Sequence, residues 1–163
     1  MKMYHTSANK IEEGTIKECE GVFDTFLFFS NEPYIMTKSH EVYTYEIEVD
    51  EDSILEVSEI AEIDCDENEY IRDIVNDTKE YFDIEEDEDA LDLLSDNYDF
   101  YAIEKFVEDD EAPYFLQLQQ AKISRAMGYN VLEGRDEQGT CYMIDMYKKE
   151  HLLKLSEYEN YQA

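Results

Sequence analysis

The chain is poor in positive charge: 13 Lys and Arg stand against 43 Asp and Glu, a formal net charge of −30 over 163 residues. A surplus of that size repels phosphate backbones and anionic headgroups. It argues against direct binding of DNA, RNA or a membrane surface and favours a cationic protein as partner. Adaptation to high salt or plain solubilisation accounts for the same number, and charge alone does not choose between these readings. Cysteine is scarce as well. Cys19, Cys65 and Cys141 are far apart, odd in number and contain no Cys-x-x-Cys pair, so neither a zinc motif nor a disulfide framework follows. The three histidines are scattered outside any metalloprotease pattern, which leaves metal catalysis without support. No apolar run approaches the length of a membrane span, and the opening Met-Lys-Met-Tyr-His-Thr-Ser is too polar for a signal peptide. The expectation is a cytoplasmic protein of a reducing compartment.

What is present is enough to build a core. Hydrophobic residues make up 43% and aromatics 13%, so the acidity sits on a chain that can fold, and its length fits one domain spanning residues 1–163. No internal repeat is visible. Asp64-Cys-Asp-Glu-Asn opens like a calcium loop, but Glu69 stands where the turn glycine belongs and Val75 where the closing glutamate belongs, which rejects it.

Lys2 to His5 reads as a short strand broken by Thr6-Ser7-Ala8-Asn9, with a loop to Cys19 that turns at Glu13-Gly14. Gly21 to Ser30 reads as a buried aromatic strand, followed by a helix start near Pro33 with Tyr34 in its first turn. Glu41 to Asp50 alternates, with Tyr43, Tyr45, Ile47 and Val49 on the core parity. Ser53 to Val57 reads as a short strand or turn. Ile71, Ile74, Val75 and Phe82 recur at helical spacing within Asn68 to Phe82. The acidic run Asp83 to Asp89 suits a solvated loop and the negatively biased first turn of a helix, with cation binding as the less favoured reading. Glu108 to Glu111 marks the start of a helix from about Pro113 to Met127, stopped by Gly128. A strand, the turn Arg135 to Thr140 and a second strand close the pattern.

That last turn holds two carboxylates, Asp136 and Glu137, between ordered elements. Cleaving a nicotinamide–ribose bond develops positive charge on the ribose carbon, and a carboxylate beside it stabilises that charge; the leaving nicotinamide needs no strong acid. Such a site also needs a grip on the ribose hydroxyls and a slot for the ring. His5, Thr6 and Ser7 can supply the first; Phe28, Phe29, Ser30 and Tyr34 can supply an aromatic wall and a hydroxyl. Each feature has a plainer explanation: a structural histidine, core aromatics and an ordinary hairpin turn.

Tyr4-His5-Thr6-Ser7, Gly21-Val-Phe-Asp-Thr-Phe-Leu-Phe28, and Ala126-Met-Gly-Tyr129 with Glu133-Gly-Arg-Asp-Glu-Gln-Gly-Thr140 together resemble the ADP-ribosyltransferase superfamily, and specifically its small type I-F anti-CRISPR members. The resemblance covers both ends of the chain. It implies an α+β fold with a mixed, split β-sheet, flanking helices and NAD, the ADP-ribose donor, in the cleft. It further implies His5 on the nicotinamide-side ribose and Asp136 as the catalytic acid, with Glu137 in reserve because glutamate usually fills that role. No Ser-Thr-Ser triplet occurs, and Phe28-Phe-Ser30 is its partial substitute. A local cation such as Lys10, Lys38 or Arg135 would meet the NAD pyrophosphate. The implied activity is transfer of ADP-ribose to a side chain of a nucleic-acid-binding protein, a subunit of a type I CRISPR–Cas surveillance complex in a bacterial host, blocking DNA recognition. Two other readings are a non-catalytic acidic DNA mimic that occupies a basic groove, and a toxin-like transferase acting on an ordinary host factor.

Overall fold

The computed structural model describes residues 1–18, 23–33, 43–99, 102–136 and 139–156, with Asp136 placed by its backbone. In chain order the elements are β1 (Lys2–Ser7), β2 (Phe26–Phe29), β3 (Tyr43–Glu48), β4 (Ile54–Glu56), α1 (Glu69–Phe82), α2 (Asp87–Leu94), α3 (Glu104–Glu108), α4 (Ala112–Ala126), β5 (Val131–Asp136), β6 (Gly139–Asp145) and β7 (Lys154–Leu155). The α+β class expected from the sequence holds. The strands form two sheets, ordered β1-β3-β7 and β2-β6-β5-β4. The chain divides into two compact units, Met1–Ile54 with Glu133–Ala163, and Leu55–Leu132.

In the first unit β1 and β3 run antiparallel with Met3 opposite Ile47, His5 opposite Tyr45 and Ser7 opposite Tyr43. Met3, Tyr45 and Ile47 are buried, as the alternation in β3 requires, and Thr44 of the opposite parity is buried too. The opening strand does not break at Thr6. It continues to Ser7 because Thr6 and Ser7 pair with Thr44 and Tyr43, and a partner strand overrides the weak turn preference of two hydroxyl residues. β2 is shorter than the aromatic run suggested: Asp24 adopts a positive φ of 52°, which bends the chain just before Phe26. Gly21 and Val22, the start of that run, lie outside the described residues, as does the expected helix after Pro33. β2 pairs antiparallel with β6, Phe26 opposite Asp145 and Phe29 opposite Tyr142. A β-bridge outside the strand ladders joins the two sheets: the Tyr4 and Ser30 amides each donate to the other's carbonyl at 2.9 Å.

The second unit is mainly helical. Asn68 caps α1 by accepting the Ile71 N–H at 2.9 Å, and its amide donates to the Ala126 carbonyl at 3.2 Å. Ile71, Ile74, Val75 and Phe82 form the buried stripe that their spacing predicts. They pack with Leu93 and Leu94 of α2 and with Leu116 and Ile123 of α4, all buried. Gly128 ends α4 as expected: its φ of 89° lets the Tyr129 N–H turn back to the Ser124 carbonyl at 3.0 Å. The acidic run 83–89 does open α2, placing Asp87, Glu88 and Asp89 in its first turn. Asp87 accepts from Lys79 at 2.9 Å and from Arg72 at 3.0 Å, and these two cations hold its carboxyl below the usual range. Among the described residues no group of His, Cys, Asp and Glu is disposed to hold a metal ion, and no helix is long and apolar enough to cross a membrane.

Candidate active site

The site is built on the end of β2 in the first unit. β2 runs antiparallel to β6 with Phe29 opposite Tyr142, the middle of β6, so its Phe29–Ser30 end points toward the start of β6. β5 ends at Asp136, with two residues between it and Gly139, which opens β6. β2 and β5 flank β6 in one sheet, and their last residues point toward the same end of it. β5 runs through Arg135 and Asp136, leaving a connection narrower than the six-residue turn read from the sequence. The Asp136 side chain, Glu137, Tyr34 and Lys38 lie outside the described residues.

His5 comes to the same end of β2. Its Nδ1 lies 2.7 Å from the Phe28 carbonyl oxygen, and its ring is 5.5 Å from that of Phe29, tilted by 46°. A carbonyl only accepts, so Nδ1 carries the proton. Burial lowers the imidazole's pKa from its ordinary 6.5, while the bond to the Phe28 carbonyl works in the opposite direction. The neutral ring assigned in this way leaves Nε2 as a bare acceptor. Among the described residues no hydrogen bond reaches it.

The other candidates are placed as follows. Alternation along β1 puts His5 and Ser7 on one face and Thr6 on the other, so the three side chains do not line one wall. Thr6 Oγ1 is buried without a hydrogen-bond partner among the described residues, and the Ser7 hydroxyl donates to the Asn9 carbonyl at 2.7 Å. Phe29 is 2% exposed and belongs to the core, backing the imidazole. Phe28 is half-buried and meets Phe23 edge to face at 4.6 Å. Ser30 is fixed by its main-chain bridge to Tyr4, and its hydroxyl donates to the Glu32 carbonyl at 2.5 Å. Lys10 pairs with Glu12 at 3.6 Å on the exposed loop after β1.

A main-chain carbonyl orienting a neutral histidine at the strand ends that also carry Asp136 fits the chemistry of a ribose-gripping site. Comparison with known proteins supplies the family. The model of the anti-CRISPR type I-F ADP-ribosyltransferase AcrIF11 matches residues 1–150. The chain belongs to that family. It is therefore an NAD-dependent ADP-ribosyltransferase of anti-CRISPR type. A solved structure described as "Crystal structure of an anti-CRISPR protein" is similar over 88% of each chain, with 20% identity and a TM-score of 0.45. No curated protein matches.

Two groups around the site escaped sequence reasoning. The Phe28 carbonyl is main chain, so no letter announces it. Tyr45 reads as one more core aromatic, yet its hydroxyl accepts the Ile11 N–H at 2.8 Å.

Proposed function

We propose that the chain transfers ADP-ribose from NAD to a side chain of a nucleic-acid-binding subunit of a type I CRISPR–Cas complex, with residues 1–163 acting as one ADP-ribosyltransferase-like domain. The observation that carries the site assignment is the His5–Phe28 hydrogen bond, which fixes an acceptor nitrogen at the strand ends where β5 terminates in Asp136. In this reading His5 Nε2 accepts from a hydroxyl of the nicotinamide-side ribose. Asp136 stabilises the positive charge that develops on the ribose carbon as the carbon–nitrogen bond breaks and its electron pair leaves with nicotinamide. A lone pair of the target side chain forms the new bond, and that side chain gives up a proton. Glu137 is the reserve acid. The family match running across both units supports treating them as one catalytic domain. The acidic surplus supports a cationic target, because opposite charge steers encounter at long range.

The test measures nicotinamide release and label transfer from NAD for the wild-type chain, Asp136→Ala and Glu137→Ala. Loss of about a hundredfold or more in Asp136→Ala is expected of a central charge-stabilising group. Unchanged turnover there with loss in Glu137→Ala would reassign the role. Mass spectrometry of a type I Cas complex incubated with NAD and this chain identifies the acceptor. Absence of any modified subunit would overturn the target.

A further inference from the structure

Resting on the transferase reading above, we propose that the loop 9–18 forms one wall of the NAD-binding site, and that Tyr45 and Glu150 are positioning residues that hold it there. The argument begins at β1 and β3, where His5 and Tyr45 are directly opposite. Directly opposed residues of an antiparallel pair project from the same face, so the Tyr45 ring rises beside the imidazole. Tyr45 is buried, and its hydroxyl accepts the Ile11 N–H at 2.8 Å. The backbone of the loop consequently passes over the face that carries His5, at the height of the Tyr45 hydroxyl.

A second latch holds the far half of the loop. Glu150, a carboxylate only 6% exposed, accepts the Ile16 N–H at 3.1 Å. Its burial needs an explanation, since an ionised side chain is rarely placed inside unless it satisfies a donor there. The donor is the loop's own amide. Ile11 and Ile16 are half-buried while residues 12–15 between them are exposed, so the loop stands on two apolar feet, each tied by its N–H. The crest is self-contained. Gly14 turns at a φ of 81°, the Thr15 N–H donates to the Glu12 carbonyl at 3.0 Å, and the Glu12 N–H donates to the Thr15 hydroxyl at 2.8 Å. The Tyr147 hydroxyl bonds the Glu18 carboxylate beyond the second foot. A solvent loop without a task has no need of a buried carboxylate and a buried phenol as fasteners. One that must stay fixed beside a ligand-gripping imidazole does, and this one also carries Lys10, next to Ile11.

The experiment compares wild type with Tyr45→Phe, Glu150→Leu and Glu150→Gln, reading KM for NAD, kcat for nicotinamide release and the rate of tryptic cleavage at Lys10 and Lys17. Tyr45→Phe keeps the ring and removes the acceptor; Glu150→Gln keeps an acceptor oxygen. Tyr45→Phe and Glu150→Leu are expected to raise KM about fivefold, the worth of one hydrogen bond, with kcat within about twofold and faster cleavage, while Glu150→Gln stays near wild type. Faster cleavage with unchanged KM overturns the wall, and unchanged cleavage overturns the latches. If Glu150→Leu does not fold, the isosteric Tyr45→Phe decides. A wild-type chain that releases no nicotinamide would instead sink the transferase reading, and the proposal with it.

Discussion

At the scale of single residues, His5 ties stability to pH through its protonation. Its native pKa lies below the ordinary 6.5 because burial disfavours the imidazolium. Between 6.5 and the lowered native value, the unfolded chain binds a proton that the native chain does not. The contribution is therefore complete above 6.5 and is lost as pH falls through that window. Urea titrations of wild type and His5→Asn across about pH 5 to 8 should diverge on the acid side, with the wild type losing stability more steeply. Equal slopes would mean that the native imidazole titrates as it does in the unfolded chain. The sequence made His5 a candidate by placing it among hydroxyl residues at a strand end. It could not reveal which ring nitrogen is occupied, since the deciding partner is a main-chain oxygen 23 residues away that no side chain encodes. The strand–turn–strand of β5 and β6 was legible for the opposite reason: a turn rich in polar residues and closed by glycine is a local pattern.

Among the secondary-structure elements, α1 and α4 were legible, whereas α3 (Glu104–Glu108), whose last residue reads in the sequence as marking the start of the next helix, and the strand limits were not. α1 begins at the residue after Asn68 and ends at Phe82, and α4 ends two residues short of Gly128, because caps and a 3.6-residue period are written locally. β1 outran its expected end and β2 began late. Strand limits are set by what the neighbouring strand offers, and the neighbours of β1 and β2 are β3 and β6, far along the chain. The α1 cap gives a test. Asn68 satisfies the Ile71 amide with its oxygen and the Ala126 carbonyl with its nitrogen, so it fastens two helix ends at once. Asn68→Ala is expected to cost about 1–2 kcal/mol, within the range of lost caps, while Asn68→Asp, which keeps the accepting oxygen and loses the donor, should cost less. Chemical denaturation of the three proteins checks the order, and an alanine variant as stable as wild type would remove Asn68 as a fastener.

For the whole molecule, the −30 charge is the dominant number, and part of it is neutralised internally, as where Arg72 and Lys79 converge on Asp87. The remainder repels itself at any ionic strength low enough to leave it unscreened. Raising salt from about 0.05 to 0.5 M shortens the Debye length from roughly 14 Å to roughly 4 Å, so the melting temperature should rise, by a few degrees, while affinity for a cationic partner falls. Differential scanning calorimetry reads the first and a binding titration the second. A melting temperature indifferent to salt would mean the carboxylates are too dispersed to repel. The bridge between Tyr4 and Ser30 has a different kind of consequence. Both of its bonds are made by peptide groups, so this part of the join between the sheets, unlike the His5–Phe28 bond beside it, is written in no side chain, and most substitutions at either position leave it intact. Proline at either position is the exception: with no N–H to give, it would unpick half of that seam.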